Sequence, residues 1–414
     1  MNKGIEERCG ESLRRRPRNV CGSTREVDMS RTFDTGSSRS GMRRRIRKAL
    51  VAALALPALA VVPPADAVGF GENVEWVGTF PLTNDSAGAR RLGNYFYITT
   101  SSVLYIFDIT DPVAPELTGF LPFPQSPQFA QEDVDTNGKI LLIGNSVIDV
   151  SDKANPEVIS THGGSSHTIS CILDCTWAYA SNGVIVDLRD PANPRTSTSS
   201  WRTGMPGGSA HDVTEVAPGL IMTSTDPLLF LDAREDPEDP ILIGLGPNRN
   251  RFTHGNLWPR QGQDKFVLVG GESGASVGCS NASAQFVTLD ATNGWPTYDE
   301  EGNLTKLGEY TVIDEYRVRQ GTFTDGHPPV NQWCAHWFET HSSYEDGGLV
   351  AMAWYEHGVR MLDIKPDGQI EEVGWYVPVG GMTSGVYWIT DRIMYASDYQ
   401  RSFDILRYTG PLPG

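Results

Sequence analysis

The chain has 414 residues and a formal net charge of −17, with 34 Lys/Arg against 51 Asp/Glu. A balance this acidic repels phosphate backbones and excludes nucleic acid from the expected partners, while it suits solubility outside a cell and attracts cations. Beyond one N-terminal segment no apolar run approaches the roughly 18 residues of a membrane-crossing helix, so no membrane span is expected.

Residues 1–41 are rich in Arg, Ser and Gly, and read as a disordered extension or as sequence upstream of a start at Met42. Residues 42–67 read as a secretory signal peptide. Arg43, Arg44, Arg45, Arg47 and Lys48 form a basic n-region. The 14 residues from Ala49 to Val62 form an apolar h-region too short to span a bilayer, and Ala65-Asp66-Ala67 fits a small-x-small cleavage site. The Phe-Leu that usually follows a twin-arginine pair is missing, so the general secretory route to the outside of the cell is expected. Residues 1–67 hold 14 Lys/Arg and 7 Asp/Glu, which leaves 20 basic against 44 acidic residues, a mature net charge of −24. Residues 68–414 are expected to form one domain.

Short alternating strands recur from there on. Tyr95-Phe96-Tyr97-Ile98, the runs 139–143 and 266–269, and the run 349–353 are punctuated by Gly, Asn and Pro. Each unit carries an apolar-Asp marker: Asp108, Asp149, Asp187, Asp232, Asp290, Asp363 and Asp404. Their spacings are 41, 38, 45, 58, 73 and 41, and a basal period near 40 with insertions fits four short strands per unit. Turns such as Asp111-Pro112, Asn155-Pro156, Asp190-Pro191 and Asp236-Pro237 follow the first four markers. Asp accepts local backbone hydrogen bonds there, and Pro blocks strand continuation. The run 74–80 looks like the outer strand that follows a marker elsewhere, while the last unit, residues 384–408, lacks one. The N-terminal strand is therefore expected to complete the last blade and close the ring. The expected fold is all-β, a seven-bladed β-propeller.

The unit apolar-Asp-apolar-x-Asp-Pro-x-x-Pro, as in Phe107-Asp108-Ile109-Thr110-Asp111-Pro112 through Pro115, resembles the LVIVD-repeat proteins, a family of secreted bacterial propellers. The resemblance covers residues 74–408, strongly in the first four units and in degraded form in the last three. It implies the propeller and leaves the chemistry open, because propellers host binding modules and enzymes alike.

Four histidines keep step with the repeat. His167, His211, His254 and His336 precede their markers by 20, 21, 36 and 27 residues, and the two long spacings contain insertions. In a propeller this offset places a residue at the top of the innermost strand, beside the axis. Units 1 and 7 offer Gly88 and Ser384 at the same offset. Unit 2 offers Gln131, Glu132 and Asp133, with Glu132 as the carboxylate ligand. Four imidazoles and a carboxylate predict a divalent transition-metal site, copper or zinc before manganese. A metal-free polar channel and a purely structural role are the alternatives. Asp212, Glu272 and Glu356 are candidate acceptors that orient the rings, and His357 sits in a loop facing the site. His162 and His341 are off register and read as ordinary residues, as does His327 beside Pro328-Pro329. Trp258, Trp333, Trp337, Trp354 and Trp388 read as packing between blades before a substrate platform. With the blades open towards units 7 and 1, the site is expected to be lopsided.

Four cysteines remain after residue 67, and an even count in an exported protein implies two disulfides. The preferred pairing of three is Cys171–Cys175 with Cys279–Cys334, the latter tying an insertion to the strand of His336; unpaired buried thiols are the alternative. No Gly-x-Ser-x-Gly elbow, phosphate-binding glycine loop or His-Glu-x-x-His helix is present. His167-Thr168 with Cys171, and His211-Asp212-Val213, are similar over short motifs to the copper-binding methanethiol oxidase (selenium-binding protein) propellers. Cys175 suggests that Cys171 is in a disulfide here instead of free for thiol chemistry. Oligogalacturonate lyases are a second analogy, in which a metal neutralises a uronate carboxylate while a base removes the α-proton. An acidic surface without in-register arginines ranks that reading lower. The expected protein is a secreted, monomeric, metal-dependent enzyme, oxidoreductase before lyase, acting on a small molecule or glycan. The alternative is a non-catalytic module that binds an extracellular protein or glycan.

Overall fold

Turn chemistry sets the repeat. In the computed structural model, which describes residues 69–122, 132–164, 166–249, 252–272, 284–318 and 334–412, five marker aspartates end their strands in the same way. Asp108, Asp149, Asp187, Asp232 and Asp290 each accept the backbone N–H two residues on, at 2.8–3.1 Å. That side-chain-closed turn stops the strand and reverses the chain. A second turn follows, with Asp111, Asp152, Asp190 and Asp236 accepting backbone N–H groups before the outermost strand.

The result is seven antiparallel sheets of four blade strands each. Their innermost strands are Ser86–Leu92, Asp135–Thr136, Ile169–Ile172, Val213–Ala217, Gly255–Leu257, Phe338–Thr340 and Thr383–Trp388, which we number blades 1 to 7. One turn at Pro259–Gly262 is the only helical segment among the described residues. No helix among them is long and apolar enough to cross a membrane. The chain is a seven-bladed β-propeller.

Packing between blades closes the ring. Seven apolar clusters each join two neighbouring blades. One holds Tyr97, Leu104 and Ile106 of blade 1 against Leu141 and Ile148 of blade 2. Another brings Phe80, Tyr395 and Phe403 of blade 7 onto Phe96 and Phe107 of blade 1. The latter exists because Val74–Thr79 pairs antiparallel with Asp404–Tyr408, so blade 7 is made from both ends of the described chain. Gly69–Glu72 adds a fifth strand to blade 6 along Ile370–Pro378. Gly308–Glu309, from the insertion before the outer strand of blade 5, lies parallel on the edge of blade 4. These additions cover strand edges that would otherwise invite pairing with another chain.

Two markers depart from the pattern: beside Asp363 the Lys365 N–H donates to Gln369 O and the carboxylate accepts from Lys365 Nζ instead, and Asp404 departs further. Asp404 opens its strand instead of ending it, and the slot of Asp108 is held in blade 7 by Arg407, which pairs with Ile393. Asp404 instead accepts from Trp76 Nε1 and Thr79 Oγ1, both at 3.1 Å, and pins the closing strand. The tryptophans divide. Trp258, Trp354 and Trp388 are buried between blades, whereas Trp337 lines the axis. Trp333, His327, Cys279 and the whole of residues 1–67 lie outside the described residues.

Candidate metal centre

The four in-register histidines sit one or two residues before the innermost strands of blades 3 to 6. Their backbones extend the ladder past each strand. His211 N–H donates to Ser224 O at 3.1 Å, His254 N–H to Gly270 O at 2.8 Å and His336 N–H to Ala353 O at 2.9 Å. Strand pairing thus fixes each Cα at the rim of the axis, and the side chains turn inward. Glu132 enters from blade 2 and meets three of them. Its carboxylate lies 3.2 Å from His167 Nε2, 3.1 Å from His254 Nε2 and 2.9 Å from His336 Nε2. His211 Nε2 lies 2.9 Å from His167 Nε2. Ring centroids of His211, His254 and His336 succeed one another at 3.8 and 3.9 Å. Glu132, His211 and His254 each offer a ligand atom within 4.8 Å of the other two.

The ring orientations are set by backbone carbonyls. His211 Nδ1 faces His254 O at 3.1 Å, and His336 Nδ1 faces Ser384 O. A ring whose Nδ1–H is committed to a carbonyl keeps its lone pair on Nε2, the tautomer a metal needs. His254 Nδ1 is buried and has no partner. Burial is nearly complete for Glu132, His254 and His336, at 3 %, 0 % and 1 % exposure, so solvent meets the cluster chiefly at His167.

Charge follows from that burial. Desolvation alone would raise the Glu132 carboxyl, but the adjacent His336 and hydrogen bonds from three rings hold it well below its usual range. Desolvation lowers His336, and Glu132 outweighs it, so this ring is raised. His211 is pushed well down by burial and then by His254, and His254 is lowered by burial and then by His336. The protein alone therefore favours the charged form of Glu132 and a proton on His336, and disfavours protonation of His211 and His254.

The sequence-derived neighbours fall in different places. Glu272 accepts from Tyr355 Oη at 3.3 Å and acts on His254 and His336 through space. Asp212 accepts from Thr214 Oγ1 at 3.0 Å and lines the channel beside the rings. Glu356 is half-buried in the turn after the second strand of blade 6. His357 is buried in the same turn, where desolvation and Arg360 push it down to about 3. The acceptors that orient His211 and His336 are thus main-chain carbonyls instead of these carboxylates. His162 and His341 stand apart: His162 Nδ1 accepts from Gly164 N–H, and His341 packs on Trp388. Blades 7 and 1 do not leave a gap, because Ser384 O meets His336 and Gly88 packs against the Glu132 backbone.

Two residues escaped the histidine register. Tyr355 and Tyr399 pack on His336 with ring centroids at 4.9 and 5.9 Å. Both phenols are raised well above their usual range, by burial first and then by Glu272 for Tyr355 and Glu132 for Tyr399. They share a second register with Glu272, one or two residues past the second strands Phe266–Gly271, Gly348–Ala353 and Ile393–Asp398. That offset was the available signal. Beside the rings the channel forms a cavity of about 670 Å³ whose lining includes Glu132, Trp337 and the Cys171–Cys175 disulfide. Cys334 is also disulfide-bonded.

No protein-family model matches the chain, and no curated protein matches it. Among solved structures it is similar to one described as YCF48 bound to D1 peptide, at 10 % identity and a TM-score of 0.48, over 81 % of this chain and 97 % of that one. The propeller rests on the chain's own strand pairing and ring closure.

Proposed function

We propose that Glu132 and the four histidines hold a resident transition-metal ion, and that the protein works as a metal-centred propeller outside the cell. One observation carries the reading: imidazoles from blades 3 to 6 converge on one buried carboxylate, with the Nδ1–H of His211 and His336 already committed to carbonyls. Without a cation, the contact between His336 Nε2 and Glu132 needs a proton on His336; a metal ion takes the place of that proton. A nitrogen-rich set with one carboxylate favours copper or zinc over manganese. Bound there, such an ion supplies Lewis-acid or redox activation of a small ligand. The protein's part is to hold the ring tautomers, exclude bulk water around Glu132 and admit ligand along the channel. Export is supported by the basic and apolar segment 43–62 and by disulfide-bonded cysteines.

The test is elemental analysis of the full chain, exported without a histidine tag, with an electron paramagnetic resonance spectrum to separate copper(II) from silent zinc. One ion per chain is expected, lost in Glu132→Gln and His254→Ala while both variants stay folded. Substoichiometric metal in the native protein, or full occupancy in both variants, refutes the reading. N-terminal mass analysis of the exported protein checks cleavage after Ala67.

A further inference from the structure

The cavity beside the rings has a chemistry of its own. It is lined by two basic side chains, Arg90 and Arg91, facing many acids. Arg90 is acted on by Asp135, Asp133, Glu339 and Asp212, and its ion pair, at 3.2 Å, goes to Asp135. Asp133 accepts the Ile169 N–H at 3.0 Å and Asp212 the Thr214 hydroxyl, but neither has a cationic hydrogen-bond partner. Glu339 accepts the Trp388 N–H, and Arg91, the next guanidinium, donates to the Trp388 carbonyl at 3.0 Å. Three carboxylates therefore share the channel with two guanidiniums, of which Arg90 is paired with Asp135. Holding like charges in a half-enclosed space is costly unless a counter-charge arrives. Burial pushes Glu339 up to about 7 although Arg90 and Arg91 lie near enough to lower it.

An independent feature points to a ligand. Asn256 is only 6 % exposed and lines the same cavity. Its amide nitrogen donates to Ser224 Oγ at 2.8 Å, while its Oδ1 is buried with no donor. A buried amide oxygen left unmet costs about 1–3 kcal/mol, so a hydrogen-bond donor is owed to this position. Trp337 and Tyr387 supply aromatic wall. A volume of about 670 Å³ is far larger than a bare ion needs and matches pockets for small organic molecules.

We infer that the central channel binds a small organic cation, an amine or guanidinium seated among Asp133, Asp212 and Glu339, with an N–H to Asn256 Oδ1 and its carbon frame against Trp337 and Tyr387. The carboxylates supply the charge, the aromatic faces add cation–π attraction, and the narrow low-dielectric walls strengthen both. The inference is independent of the metal reading, since of the proposed ligands only Glu132 touches the channel.

Calorimetric titration of the full chain with agmatine, putrescine and choline, beside neutral 1,4-butanediol and anionic succinate, tests it. At least one of the three cations is expected to bind at one per chain, with neither control binding. Asp212→Asn and Glu339→Gln are expected to weaken that cation at least tenfold with little change in thermal midpoint, and chelator treatment is expected to leave binding intact. Should Asp212→Asn fail to fold, Glu339→Gln decides alone. No binding by any of the three cations, equal binding of butanediol, or native affinity in the folded variants overturns the inference. Loss of metal with retained cation binding would leave it standing while removing the metal proposal.

Discussion

Gly88→Ala is the sharpest probe of how the centre is built. A Cβ at this position would lie 1.7 Å from the Glu132 carbonyl oxygen, 2.5 Å from its carbon and 3.0 Å from its Cα. All three are backbone atoms, so no side-chain rotation relieves the clash. Restoring ordinary carbon contact requires the two backbones to part by about 1.5 Å or more. The Glu132 carboxylate holds three rings at 2.9–3.2 Å, and a shift of that size carries it out of hydrogen-bond range of at least two. Overpacking costs about 1–3 kcal/mol, and lost charge-assisted bonds add about 1.5–3 kcal/mol. The expected loss is about 3–5 kcal/mol, a large part of the margin of a typical domain. Urea denaturation of the full chain measures it, with metal content determined in parallel. Gly93→Ala is the control: its φ of 60° taxes a side chain, but no atom lies within 4 Å of the added Cβ. That variant should lose only about 1 kcal/mol. If Gly88→Ala loses no more than Gly93→Ala and keeps its metal, the tight blade-1 wall is not what seats Glu132.

Three further outcomes are expected. Burial pushes His162 down to about 4, so the folded protein binds fewer protons there than the unfolded chain. Its contribution is present above the ordinary value of 6.5 and is lost as pH falls towards 4, by about 2–3 kcal/mol; His162→Asn, compared with the native chain by urea denaturation at pH 7 and pH 4.5, should lose less on acidification. Asp404→Ala should cost about 2 kcal/mol, because it strips the acceptor from both Trp76 and Thr79, and clearly more than Asp108→Ala, which removes only exposed turn bonds from Thr110; equal losses would undo the distinction between the two positions. Replacing Cys171 and Cys175 together by Ser opens a loop of sequence separation 4, and a loop this short should cost about 2 kcal/mol on the chain-entropy account, checked by the midpoint against the native protein.

The ring was legible because its signal is local. An aspartate that closes a turn by accepting the N–H two residues on leaves a trace in sequence, and five of the seven markers do this. Closure was legible for a similar reason: the run 74–80 has an outer strand's pattern and no third strand before it. Asp404 was misplaced because two unrelated needs select the same residue type. Phe403-Asp404-Ile405 copies the apolar-Asp-apolar pattern, yet Asp404 serves as acceptor for the closing strand, 325 residues away from Thr79. The added strands Gly69–Glu72 and Gly308–Glu309 left no such trace, since edge pairing runs through backbone groups that any residue carries.

At the centre, register along the innermost strands brings together residues as distant as Glu132 and His336, but register cannot say how the space between them is filled. Glu132 belongs to blade 2 and His336 to blade 6, with blades 7 and 1 lying between them on one side of the ring. Their 2.9 Å contact spans that gap. It can do so because blade 1 presents Gly88, with no room for a side chain, and blade 7 presents the Ser384 carbonyl to His336 Nδ1. Read as sequence, these two positions are blades without a ligand. In three dimensions they are the wall against which the carboxylate and the last imidazole are pressed, and the smallness of Gly88 is a requirement of the site. The same logic explains the orienting groups. At His211 and His336 carbonyls do the work that Asp212, Glu272 and Glu356 were expected to do, and a carbonyl has no residue identity to read. What a chain reveals of such a centre is its side-chain donors; the groups that aim them are written in the backbone.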